Sequence, residues 1–381
     1  MATVTHATPR TFDQAAAALA AASSEGQSVR IRGGATKLGW GRPTGAADVE
    51  LCTTGLTKIV EHNAGDLTAI LEAGVPLAQA QRTFAAAGQM LALDPPLGDD
   101  SAATIGGIVA TGDCGPLRHR YGAPRDLVVG ATIALSDGAI AHSGGKVIKN
   151  VAGYDLAKLF AGSFGTLGLI LSVSVRLHAR HPESTTALGV CADPDTLGAA
   201  AVALTASPLE FEALDVAWHV GRGGILARCG GPEHGRRGRR AARRLSELGL
   251  DQVDVTGDDE QLWERQRAGQ RSPHRALVRI AARPTALPAV VRATDSAAGT
   301  LVGRAALGSS YVEVDPDALG RLRDALPPGA AITVLDAPAH AREQPDPWGA
   351  LEAPVLALMR SVKTRFDPTR TCNPGLFVDG I

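Results

Sequence analysis

Apolar and polar residues alternate along residues 169–177: Leu169, Leu171, Val173, Val175 and Leu177 are interleaved with Ser172, Ser174 and Arg176. A period of two predicts a half-buried β-strand. Shorter apolar runs predict strands at residues 29–32, 67–75, 127–135, 213–219 and 225–229. Helical signals lie between them. Thr11-Phe12-Asp13-Gln14 has the spacing of a capping box ahead of an alanine-rich run that ends at Gly26. Further helices are expected over residues 77–87, closed by Gly88, and over residues 196–205 and 351–365. Over residues 235–248, Arg236, Arg237, Arg239, Arg240, Arg243 and Arg244 share one broad face, with Ala241, Ala242, Leu245 and Leu248 on the other. That face is either solvated or a docking surface for an acidic partner subunit. Strands and helices alternate up to about His178, which predicts an α/β or α+β domain. A different texture starts at Pro182-Glu183.

Glycines punctuate the pattern where ligands are usually bound. Ala103-Thr104-Ile105-Gly106-Gly107-Ile108-Val109-Ala110-Thr111-Gly112 leads toward Gly144-Gly145, and Gly162-Ser163-Phe164-Gly165-Thr166-Leu167-Gly168 leads into the alternating strand. Residues without a Cβ let backbone N–H groups approach a flat or phosphate-bearing cofactor. Gly33-Gly34-Ala35-Thr36-Lys37, after the strand at 29–32, has the makings of an anion nest with Thr36 as an added donor. Neither GxGxxG nor GxxxxGK[ST] occurs, which disfavours an NAD site or a P-loop. Pro95 and Pro96 stiffen the approach to the glycine-rich stretch.

With 381 residues the chain is long enough for two domains, and a net charge of −1 gives no reason to expect nucleic-acid binding. The five cysteines (Cys52, Cys114, Cys191, Cys229, Cys372) are scattered and lack CxxC spacing, which argues against a disulfide framework or a cluster held by this chain alone. No metal site is expected: His178 and His181 have metal-compatible spacing but no partner cluster. The start of the chain shows no secretory signal and no run is long enough to span a bilayer, so a cytoplasmic location is expected.

The run 103–115, the segment Lys146-Val147-Ile148-Lys149-Asn150-Val151-Ala152-Gly153-Tyr154-Asp155 and the run 162–168 resemble the vanillyl-alcohol oxidase type (PCMH-type) FAD-binding family, and within it the E-subunit branch of bacterial glycolate oxidases. The resemblance implies an α+β chain. A PCMH-type FAD-binding domain of two α/β subdomains would occupy residues 1–181, a mixed α/β cap residues 182–347, and a returning C-terminal segment residues 348–381. It places the cofactor contacts at Arg32, Gly33, Gly34, Ala35, Thr36, Lys37, Pro95, Thr104, Gly106, Gly107, Thr111, Gly115, Gly122, Lys149, Tyr154, Gly168, Ile170 and Asn373. Ala35 and Thr36 stand where some relatives carry a flavin-linked histidine, so non-covalent FAD is expected. Asp155 is read as the N-cap of a helix starting at Leu156. Asn373 lies in the Asn-Pro-Gly segment expected near the flavin ring, and Leu376 replaces a Lys or Arg of many relatives. The implied function is the FAD-dependent oxidation of a small 2-hydroxy acid within a glycolate oxidase complex. Its implied partners are a second FAD-binding subunit and an iron–sulfur subunit, through which the chain would sit at the inner face of the membrane. The alternative is a flavin-binding electron-transfer or structural subunit. Catalytic residues are not identified by the sequence.

Overall fold

The computed structural model describes residues 4–145, 154–272, 274–338 and 346–381. Near the start of the chain, strands Thr5–Ala7, Val49–Cys52 and Val29–Arg32 form a parallel sheet in that order. Helix Phe12–Ser24 buries Ala15, Leu19 and Ala22 against Val29, Val49 and Leu51. Its entry is capped as the sequence predicts, with the Gln14 N–H donating to Thr11 Oγ1 at 3.2 Å. The Gln14 side chain accepts from the Arg10 N–H, one residue earlier than a closed capping box.

A second sheet runs antiparallel in the order Ile59–Asn63, Thr68–Glu72, Leu169–Arg176, Val128–Ala134, Ile140–Gly144. Its central strand is the alternating one, and it is not half-buried. Leu169 and Leu171 pack with helix Phe12–Ser24, Val173 and Val175 pack in a neighbouring core, and even Ser172 is only 5% exposed. Neighbouring layers cover the strand on both faces, so its hydroxyl positions do not mark a solvent side.

The third sheet has eight antiparallel strands between Ser184 and Asp336. Its order is Asp251–Thr256, Ser184–Cys191, Arg222–Gly230, Ala213–His219, Thr300–Arg304, Ser309–Val314, Ala276–Ala281, Ala331–Asp336. Numbered within each half, the first four strands lie in the order 4-1-3-2 and the last four in the order 2-3-1-4. Each half is a β-α-β-β-α-β unit, with helices Pro194–Thr205 and His234–Glu247 in the first and Leu287–Ser296 and Leu319–Ala325 in the second. The halves join edge to edge through Ala213–His219 and Thr300–Arg304, so the sheet is a pseudo-symmetric tandem.

After helix Ala353–Phe366 the chain returns to the first sheet. The Val29 N–H donates to Thr371 O at 2.8 Å and the Asn373 N–H donates to Val29 O at 2.9 Å. Lys363, buried, anchors this return by donating to Asp367 Oδ2, Thr166 O and Cys372 O at 2.7, 2.7 and 3.0 Å. The predicted cap at Asp155 is corrected: the short helix is Ala157–Phe160, its Ala157 N–H donates to Ser143 Oγ at 3.1 Å, and Asp155 pairs with Lys158 at 2.6 Å. A hydroxyl from the neighbouring hairpin reaches the free N–H, which leaves the carboxylate to the nearby ammonium.

Candidate functional site

A cleft of about 800 Å³, its open mouth included, runs between the end of strand Val29–Arg32, the helix Ile105–Thr111, the 164–170 segment and the returning C-terminal chain. The loop after Arg32 forms one wall. Among the described residues, the backbone N–H groups of Gly34, Ala35, Thr36 and Lys37 donate to no group of the protein, and Ala35 holds φ at 60° in the left-handed region. Consecutive free donors with a left-handed residue among them make an anion nest. The loop is held by close packing: a Cβ on Gly33 would lie 2.2 Å from Thr104 Oγ1, and one on Gly34 1.7 Å from Ala102 O. These glycines are needed because the chain itself comes near them, while the free N–H groups are what they leave facing the cleft.

The same distinction separates the paired glycines of the opposite wall. The segment they lie in is a helix, capped by Thr104 Oγ1 accepting from the Gly107 N–H. A Cβ on Gly106 would meet Ala73 Cβ at 2.6 Å, whereas one on Gly107 would meet only Thr104 Oγ1, at 3.2 Å. Gly106 is a packing glycine, and Gly107 opens the wall.

Two further left-handed residues line the cleft, Phe164 (φ 55°) and Asn373 (φ 42°). The amide of Asn373 joins them: its Oδ1 accepts from the Ile31 N–H at 2.8 Å and its Nδ2 donates to Phe164 O at 2.7 Å. Phe164 stands edge-on to Trp348 and stacks on Phe377. At this end Trp40, Phe164 and Leu376 back onto Leu277, Val302, Tyr311 and Leu335 of the eight-stranded sheet.

A charged group spans the same boundary. Asp113 is 2% exposed, and its Oδ2 receives Arg271 at 2.6 Å and Lys37 at 3.2 Å, while Oδ1 has no partner. Arg271 lies 4.8 Å over the Trp40 ring. Burial and the nearby Arg271 hold the Lys37 ammonium below its ordinary pKa, against the pull of Asp113. A second buried pair, Arg304 with Asp215 at 2.6 Å, also reaches from the sheet to the glycine-rich stretch: Arg304 Nε donates to Gly115 O at 3.1 Å.

Thirteen of the expected cofactor contacts meet around this cleft: Arg32, Gly33, Gly34, Ala35, Thr36, Lys37, Thr104, Gly106, Gly107, Thr111, Gly168, Ile170 and Asn373. Others lie elsewhere. Tyr154 is 88% exposed, because the segment leading to helix Ala157–Phe160 runs on the surface. Gly122 closes the turn Arg118–Tyr121 at φ 86° against Asp126, and Gly115 packs on Asp94 with its carbonyl bonded to Arg304. Pro95 is buried beside them and does not line the cleft. Lys149 lies outside the described residues. Trp40, Asp113, Phe164 and Arg271 were missed by the sequence reading. Asp113 does carry a signal, a carboxylate directly after the glycine-rich run. Arg271 carries none, since the partner that gives it meaning is 158 positions away. Among the described residues no group of three His, Cys, Asp or Glu side chains could hold a metal ion, and no helix is long and apolar enough to cross a membrane.

Residues 5–144, which include the nest and most of the helix wall, match the FAD binding domain family (FAD_binding_4). The chain carries a FAD-binding domain of this family. FAD is its cofactor, and the free N–H groups, the glycine-opened wall and the apolar end suit a ligand with both phosphates and a flat ring. The chain is 38% identical over 151 residues to glycolate oxidase subunit GlcE of Escherichia coli (strain K12), a match covering 39% of this chain and 42% of that protein. It is 33% identical over 169 residues to glycolate oxidase subunit GlcD of Bacillus subtilis (strain 168), covering 44% and 36%. With the D-lactate dehydrogenase of Archaeoglobus fulgidus it shares 35% over 177 residues, covering 46% and 39%. Each of these matches spans less than half of this chain and less than half the length of the relative. In fold the likeness is wider: an alkyldihydroxyacetonephosphate synthase structure superposes with a TM-score of 0.69 at 13% identity, over 97% of this chain and 76% of that one.

Proposed function

We propose that this chain is the FAD-binding subunit of a dehydrogenase that oxidises a small 2-hydroxy acid, with the FAD held non-covalently. The observation that carries this reading is the Lys37–Asp113–Arg271 group where the FAD-binding domain meets the eight-stranded sheet. Two cations share one buried carboxylate, which leaves a net positive charge at the cleft, as the carboxylate of a hydroxy acid requires. Hydride transfer to a flavin then needs the substrate carbon held in place and a route for the hydroxyl proton. The names of the similar proteins, glycolate oxidase subunits and a D-lactate dehydrogenase, support the substrate class. They also support partner chains, which we take to be a second FAD-binding subunit and an iron–sulfur subunit passing electrons toward a membrane. No nucleophile stands in the nest at Ala35, which supports the non-covalent link.

One observation favours a second reading, a flavin-binding electron-transfer subunit without its own substrate site. Trp40, Phe164 and Leu376 fill the end of the cleft against the sheet and leave little open room. Anaerobic addition of glycolate or D-lactate to the purified yellow protein separates the two. Bleaching of the flavin absorbance is expected on the first reading, and an unchanged spectrum overturns it in favour of the second. Protein that is colourless and takes up no FAD overturns both.

A further inference from the structure

Eleven large hydrophobic residues are exposed among the described residues, and six of them fall in two short stretches: Tyr154, Leu156 and Leu159, then Leu351, Val355 and Leu358. Scattered singly, such residues would need no explanation; gathered, they mark a surface that another molecule covers. The two stretches adjoin in the fold, where Phe160 stands edge-on to Phe366 with ring centres 5.6 Å apart. Along helix Ala353–Phe366, Val355, Leu358, Met359, Val362 and Phe366 follow the three- and four-residue steps of one helix face. The end of that stripe is used, since Val362 and Phe366 pack on the core that contains Ala157 and Phe160. Its beginning is not, with Val355 46% and Leu358 65% exposed. The apolar face runs further than the chain's own packing needs.

Place and charge narrow down what covers it. Lys363, on the same helix, donates to Thr166 O and Cys372 O, which belong to the segments that bring Phe164, Gly165, Gly168 and Asn373 to the cleft. The helix is therefore braced on two segments of the FAD-binding wall. Beside the apolar face, Arg365 and Arg370 are exposed and have no ion-pair partner among the described residues, and Arg370 lines a groove with Arg360 and Thr364. The rim is basic. We infer that this face docks the electron-accepting iron–sulfur subunit, through an apolar patch of that partner edged by carboxylates. This rests on the functional reading above, which supplies the partner. An apolar centre with a charged rim is the anatomy of a specific protein interface, and arginine–carboxylate pairs at the rim set its orientation. Docked here, the partner is held against the FAD-binding wall. Reduced FAD gives up its two electrons, one at a time, to oxidised iron of the partner's clusters, and two protons leave to water.

The test uses the tagged, FAD-loaded chain purified from its native cell, with co-purifying iron and acid-labile sulfide measured against FAD. Val355→Glu combined with Leu358→Glu is expected to lower both about tenfold or more, with the FAD content of this chain and its urea unfolding midpoint unchanged. Val220→Glu, in the turn between strands Ala213–His219 and Arg222–Gly230 and 77% exposed, is the control and should keep them. Arg365→Glu combined with Arg370→Glu leaves the apolar face intact. It too should release the iron, and added salt should restore binding by screening the new repulsion. Iron and sulfide retained in both double variants overturn the inference while the functional reading stands. Loss of self-association in light scattering, or loss of a second FAD-binding chain, with the iron kept, overturns it in favour of that other occupant. A wild-type chain that brings down no iron fails the partner reading and the inference with it, and the anaerobic titration still decides whether a 2-hydroxy acid is the substrate.

Discussion

Asn373 shows how far a single residue could be read. The sequence singles it out in an Asn-Pro-Gly segment expected near the flavin ring. In the fold the amide oxygen and one amide N–H are already committed, to Ile31 N–H and Phe164 O, across 342 and 209 positions. Residue type and position were legible, but the partners were not, because neither lies near it in sequence. Its role is to fix two left-handed residues in the cleft wall. Asn373→Asp puts a second acceptor against Phe164 O, at a stability cost of about 1–3 kcal/mol. We expect FAD to bind more weakly and Trp348 fluorescence to change with the loosened Phe164, as fluorescence titration of the apoprotein will show. The glycine pair offers a cleaner contrast. Gly106→Ala forces a methyl into Ala73 and should destabilise the fold by about 1–3 kcal/mol in urea unfolding. Gly107→Ala should unfold near the wild-type midpoint and lose FAD affinity, since its methyl enters the cleft.

Among the elements, what depends on nearby residues was legible and what depends on distant pairing was not. Strands Val29–Arg32 and Ala213–His219 have the bounds their apolar runs predict, and helix His234–Glu247 follows its arginine and alanine periodicity. The tandem of β-α-β-β-α-β units stayed hidden, because several of its strands are short or contain glycine and charge, as in Arg222–Gly230, and order within a sheet is set by long-range ladders. The buried charges at the junction were hidden for the same reason. Asp94, whose carboxyl accepts from the Leu117 N–H at 3.0 Å, is pushed up to about 6, since burial outweighs the attraction of Arg304. A carboxyl whose folded pKa lies above its unfolded value of 3.8 binds more protons when folded, so its contribution to stability is present below that value and is lost as pH rises toward 6. Asp94→Asn keeps an acceptor for Leu117 and removes the titration. The stability of the variant relative to wild type should therefore rise between pH 4 and pH 7 in denaturant unfolding. A pH-independent difference would show that Asp94 does not titrate in this range.

At the scale of the whole molecule, the FAD-binding domain was readable from its motifs, and a candidate surface for partners was readable only as a charge pattern. Helix His234–Glu247 buries Gly238, Ala241, Ala242 and Leu245 and turns its arginines outward, with one exception. Arg237 folds inward onto the carbonyls of Glu210 and Gly230, so it belongs to the fold and not to the face. Arg236 and Arg244 are engaged with Glu233 and Glu247 one turn away, which are exposed pairs of small energetic value. Arg239, Arg240 and Arg243 remain exposed and without an ion-pair partner among the described residues. Three adjacent unpaired guanidinium groups on a rigid helix suit a partner surface rich in carboxylates, because each can bond one in bidentate fashion. None of the three lines the FAD cleft. Reversing them together to Glu should therefore leave FAD content and the unfolding midpoint close to wild type. Co-purification with an acidic partner subunit from the native cell should fall sharply, and what remains should lose its sensitivity to salt. A complex that survives the reversal with its salt dependence unchanged would show that this face is only solvated and that the partners bind elsewhere.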